Sequence, residues 1–200
     1  SIAAPKISNV LIYPGEYFSF WKLVGSCTAK KGYQEGLTIS NGQTGKDIGG
    51  GMCQFTNLIH WMVLHTPMEI VEYHHHDGLD LFPDYGRQIP FGVGTSITYN
   101  HLDYCFKNTT ENVYQLIVYT TPEYLCGELR SDKALAQKYH IKAENEYFSK
   151  EPDGIYRNNC IYKECFDKET GRLLSRELIK KNHAKVMYDT QNLPTAECIG

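Results

Sequence analysis

Residues 49 to 54, Gly-Gly-Gly-Met-Cys-Gln, set three glycines in front of a thiol and the thiol in front of an apolar helical pattern. A cysteine in the first turn of a helix faces the positive end of the macrodipole and unpaired backbone amides, which together stabilise a thiolate. The same amides can hold an oxyanion. Gly49, Gly50 and Gly51 remove the β-carbons ahead of Cys53 and open a path for a substrate backbone, while Gln54 adds a side-chain donor. On a helical projection Asn57 and His60 fall on the Cys53 side, opposite Phe55, Leu58, Ile59, Met62 and Val63. The alternative is a tight turn followed by a small buried side chain, because cysteine packs well as a small hydrophobe.

A thiol nucleophile needs a base, and Glu-Tyr-His-His-His-Asp at 72 to 77 offers one. In an extended segment His74 and His76 share a face, with His75 and Asp77 on the other. A helix-start cysteine followed in the chain by a strand histidine is the order found in papain-like and transglutaminase-like thiol enzymes. Cys53, His74 and His76 can equally supply one sulfur and two nitrogens to a tetrahedral zinc with an open position. No further ligand stands at a recognisable spacing, so neither a metal nor another cofactor is expected. Arg87, in an irregular Pro- and Gly-rich stretch with Asp84 and Gln88, is a candidate carboxylate ligand; its other reading is a local surface ion pair.

The elements that position these groups follow from periodicity. The apolar stripe predicts a helix over about 53 to 66, closed by Pro67. Before it, Pro14-Gly15 separates two short extended pieces, and residues 28 to 51, with seven glycines, read as a loop-rich approach. After it, 68 to 76 reads as strand, 102 to 121 as one hairpin, and 161 to 179 as a second hairpin turning at Asp167 to Gly171. Asn108 begins an Asn-Thr-Thr triplet that also matches a glycosylation sequon. Pro152-Asp153-Gly154 is the best internal boundary. The expected fold is α+β, a mostly antiparallel sheet packed by the one main helix. The expected domains are residues 1–150 and a small β-hairpin extension over 151–200.

The totals limit partners. Twenty Lys and Arg against 23 Asp and Glu leave a net charge of -3, with no field favouring nucleic acid or an anionic membrane. The longest apolar run, 58 to 64, is interrupted by His60 and far shorter than a membrane-spanning helix, so no transmembrane segment is expected in this chain. Seven cysteines without a C-x-x-C pair read mostly as thiols and favour a reducing, cytoplasmic compartment, with cell-envelope association as the alternative.

The chain resembles the VanW family, proteins associated with glycopeptide-resistance clusters and cell-wall functions in Gram-positive bacteria. The resemblance is carried by YFSFWKLVG at 17–25, GGGMCQFTN at 49–57, EIVEYHHHD at 69–77, GRQIPFGVGTSITYN at 86–100 and DYCFKN at 103–108. The family's G-G-G-x-C-Q element with a following Ser or Thr is matched through Thr56, and its H-x-H strand end by His74 and His76. Gln88 stands where many members carry Asp. The resemblance implies a role in vancomycin resistance and a peptidoglycan precursor or cell-wall peptide as partner. On the thiol reading Cys53 attacks an amide carbonyl, His74 or His76 moves the proton, Gln54 and the helix-start amides hold the oxyanion, and Gly49, Gly50, Gly51, Asn57 and Arg87 bind substrate. The rival reading is a non-catalytic module that binds wall precursors or a resistance partner through the same cleft.

Overall fold

The computed structural model describes residues 2–40, 43–75, 78–83, 88–191, 193 and 195–197. Among the described residues the fold is mostly β, 46% strand against 13% helical, and of the three α-helices found there one reaches seven residues. This corrects the expected α+β arrangement, because the sheets curl and are not packed by one main helix. The chain divides into two compact units, Ser1–His75 with Gly94–Leu135, and His76–Val93 with Ala136–Gly200.

The first unit begins with helix α1 (Ala4–Ile7), strands β1 (Val10–Ile12) and β2 (Tyr17–Ser19), and helix α2 (Phe20–Val24). Strands β3 (Glu35–Ser40) and β4 (Gln43–Ile48) then pair with each other, where a loop was expected. The misleading signal is glycine: Gly36 and Gly45 lie inside these strands. Helix α3 (Cys53–Leu64) follows, then β5 (Glu69–Glu72), β7 (Cys105–Lys107), β8 (Tyr114–Thr120) and β9 (Leu125–Ser131), with the two-residue β6 (Leu79–Asp80) in the other unit. The sheets run β1-β8-β9 and β2-β7-β5, so β7 and β8 belong to different sheets and the hairpin expected over 102–121 does not form.

Asn108 explains that division. Fully buried, it donates to the carbonyls of Ile12 (3.0 Å) and Asn112 (2.7 Å) and accepts from the Thr110 amide and hydroxyl, turning the chain out of one sheet into the next. The sequon asparagine is therefore a structural knot.

Helix α3 places Phe55, Ile59 and Val63 in a core shared with Phe20, Tyr104, Phe106, Tyr114 and Leu116. Leu58 and Met62 lie over β9, where a β-carbon on Gly127 would stand only 2.9 Å from Met62 Cε and 3.0 Å from Leu58 Cδ2. The apolar stripe thus serves one side of a core that sheets and short helices also build.

In the second unit β10 (Gln137–Glu151), β11 (Gly154–Asp167) and β12 (Leu173–Val186) form one long antiparallel array, with β13 (Thr195–Glu197) and β6 added in parallel at its edges. Glu151 pairs with Gly154, which makes Pro152-Asp153 a hairpin turn. The expected turn at Asp167 to Gly171 joins β11 to β12: Asp167 caps Thr170, and Gly171 takes a positive φ of 70°. Register shifts in both pairings increase local twist and curl the sheet. Its interior is partly polar. Arg157 is buried against Asp80 (3.5 Å) and Glu146 (2.7 Å), its guanidinium 4.6 Å from the centre of the Phe91 ring.

Candidate functional site

The glycine triplet is engaged by the fold itself. The amides of Gly49, Gly50 and Gly51 donate to the carbonyls of Gln34 (2.9 Å), Asp47 (3.0 Å) and Leu37 (2.7 Å). A β-carbon on Gly50 would stand 2.1 Å from the Gly36 carbonyl oxygen, so the triplet lets the chain run tightly along β3 into α3.

Cys53 opens α3 and packs, partly buried, against the first unit's core. Burial pushes its thiol above the ordinary value, against the downward pull of backbone hydrogen bonds from Ile97 and from its own amide. Desolvation outweighs those bonds. Gln54 is exposed, and its amide donates to the Gly51 carbonyl.

Asn57 and Thr56 face residues 94–97, part of the 86–100 stretch that carries the resemblance but that no local signal ties to α3. Asn57 Oδ1 accepts from the Thr95 amide at 2.6 Å and the Thr95 hydroxyl at 2.9 Å. The Thr56 and Thr95 hydroxyls lie 2.5 Å apart. Tyr73 donates its hydroxyl to the Gly94 carbonyl (3.2 Å), and the Ser96 amide donates to the His74 carbonyl (2.7 Å). Residues 94–97 therefore form a strap over the polar side of α3, with Thr95, Ser96 and Ile97 all buried.

Further along that side, His60 is buried, stacked on Tyr73 at 4.3 Å and hydrogen-bonded through Nδ1 to the Tyr104 hydroxyl at 3.1 Å. Burial holds the Tyr104 phenol well above its usual range, so it is neutral at physiological pH. His75 packs edge-on to Tyr73 at 4.1 Å.

His74 lies beyond the end of β5, and its Nε2 is 3.0 Å from Glu72 Oε1. The same carboxylate oxygen accepts from the Asp103 amide at 2.8 Å, and that bond, followed by the one from His74, draws the Glu72 carboxyl below its ordinary value. Asp103 in turn accepts from Ser19, the Trp21 amide and the Tyr104 amide. Cys105 points its thiol at Asp103 (3.4 Å); burial first, then the neighbouring carboxylates, push it up to about 12. His76, Asp77, Asp84 and Arg87 lie outside the described residues. Among the described residues no cluster of three or more His, Cys, Asp or Glu side chains has a geometry that could hold a metal ion, and no helix is long and apolar enough to cross a membrane.

The glycine-to-α3 turn, the strap and the Glu72–Asp103 node all fall within residues 1–130, which match the family model described as VanW like protein. The chain belongs to the VanW family. Across 187 residues, 94% of this chain and 68% of the relative, it is 33% identical to the vancomycin B-type resistance protein VanW of Enterococcus faecalis (strain ATCC 700802 / V583). The uncharacterized protein YoaR of Bacillus subtilis (strain 168) is 29% identical over 111 residues, 54% of this chain and 34% of that protein. No solved structure matches. The VanW match ends before the long strands β10 to β12, although the alignment with the enterococcal relative, covering 94% of the chain, takes in residues beyond it.

The strap partners of α3 had a faint signal in the sequence. Thr95 and Ser96 are small hydroxyl residues in a Gly-rich run, but nothing local ties them to Asn57, 38 residues away.

Proposed function

We propose that this VanW-family chain is an accessory protein of glycopeptide resistance that acts by binding a peptidoglycan-type peptide, rather than by thiol chemistry at Cys53. The resistance role is carried by one observation, the 33% identity over 94% of the chain to the enterococcal resistance protein VanW. Binding is favoured over catalysis because the three glycine amides already donate to backbone carbonyls, and because burial holds Cys53 as a neutral thiol. Glycopeptides capture the D-Ala-D-Ala end of wall precursors, so the natural occupant is a peptide stem carrying that end.

A second reading keeps Cys53 as nucleophile, favoured by its place in the first turn of a 12-residue helix. There the sulfur adds to an amide carbonyl, a histidine passes the thiol proton to the leaving amine, and water releases the acyl group. Glycopeptide susceptibility of strains carrying Cys53→Ala separates the two. Resistance retained supports binding; resistance lost with the variant folded supports the thiol enzyme.

A further inference from the structure

We propose that residues 94–97 are a gate over the first turn of α3, latched by Asn57, and that opening of this strap controls access to Cys53. The inference does not depend on whether Cys53 performs chemistry.

The strap has no regular secondary structure, so its place is set by bonds to other elements. Two of them end on a single atom: Asn57 Oδ1 takes both the Thr95 amide and the Thr95 hydroxyl, at 2.6 and 2.9 Å. One residue on, Ser96 is tied to the His74 carbonyl at 2.7 Å. One residue further, Ile97 belongs to the same core against which Cys53 packs, and its backbone acts on the Cys53 thiol. The strap's side chains pack inward while its first residue, Gly94, leaves room beside Asn57, a β-carbon there standing 3.6 Å from Oδ1.

The strap's hold on α3 converges on one acceptor, Asn57 Oδ1, so few bonds must break for it to lift from the helix. Loss of the Asn57 acceptor removes both latch bonds at once. Cys53 then exchanges a covered state, with its thiol pushed up by desolvation, for a solvated one with a lower pKa at a helix start. Opening therefore raises both exposure and thiolate fraction.

The test is alkylation kinetics by iodoacetamide, site by site, with mass-spectrometric readout on the full chain near neutral pH. Asn57→Ala is expected to speed modification of Cys53 roughly tenfold or more, as loss of two hydrogen bonds implies. Cys105, in the same unit, is expected to keep its wild-type rate and reports general loosening. Thr95→Ala, which removes the hydroxyl but keeps the amide, is expected to fall between Asn57→Ala and wild type. An unchanged Cys53 rate in Asn57→Ala overturns the gate. So does acceleration of Cys53 and Cys105 by the same factor, which would make Asn57 a general stabiliser. These outcomes leave the resistance reading untouched, since they involve no peptide and no phenotype.

Discussion

Gly50 lies so close to Gly36 that a β-carbon on Gly50 would come 2.1 Å from the Gly36 carbonyl oxygen, while one on Gly36 would come 2.4 Å from that of Gly50. Backbone meets backbone there, with no flexible side chain to yield. Gly51, one residue on, has open space around its missing β-carbon but a φ of +81°. The two glycines are thus required for different reasons, and their alanine variants should differ. Gly51→Ala should cost about 1–2 kcal/mol, the left-handed penalty alone. Gly50→Ala should cost about 3 kcal/mol or more, because backbone must shift. Urea unfolding midpoints check the order; equal losses would mean that the close approach is not maintained in solution.

Asn108 is expected to be a stability residue and not a glycan acceptor. Asn108→Ala strands the buried Ile12 carbonyl and removes the Thr110 cap, for a loss of roughly 2–4 kcal/mol. Thermal unfolding of the variant measures this, and a shift too small to resolve would contradict the knot.

The Glu72–Asp103–Cys105 node gives opposite pH limbs. Glu72 has its folded pKa lowered, so its contribution is present above the unfolded value of about 4.3 and fades as pH falls below it. Cys105 has its folded pKa raised to about 12, so its contribution is present below the unfolded value of about 8.5 and fades as pH climbs from there toward 12. Glu72→Gln should flatten the acid limb of stability against pH, and Cys105→Ser the alkaline limb. A variant that keeps the wild-type limb would show that its group titrates alike in both states.

Arg157 should tolerate no conservative exchange. Asp80 is 4% exposed and Arg157 is its buried partner, so Arg157→Ala should cost about 3–5 kcal/mol. Arg157→Lys should recover little, because the planar guanidinium also stacks near Phe91 and Phe148. Full recovery by lysine would reduce the site to a point charge.

What the sequence made legible was local. The 3.6-residue stripe located α3 to within two residues of its end, and Asp167 to Gly171 announced the turn between β11 and β12. The pairings of distant strands were not legible: β7 sits between β2 and β5, and β8 lies beside β1. Gly36 and Gly45 looked like loop residues, since the backbone approach that requires glycine at 36 is invisible without Gly50 in place. Cys53 shows the same limit. Its place at a helix start was readable, but the partners of the neighbouring Thr56 and Asn57 come from Thr95, far along the chain, and burial by the fold pushes the Cys53 thiol up.

The proposal that the chain binds a wall peptide without thiol chemistry meets its most direct test in an NMR titration of the wild-type protein. The probe is a peptidoglycan stem pentapeptide ending in D-Ala-D-Ala, with protein and peptide resonances followed together over hours. Saturable shifts in the protein and an intact peptide throughout are expected, with the same titration curve for Cys53→Ala. Product resonances that appear with wild type and vanish with Cys53→Ala would contradict it, as would protein resonances that never move.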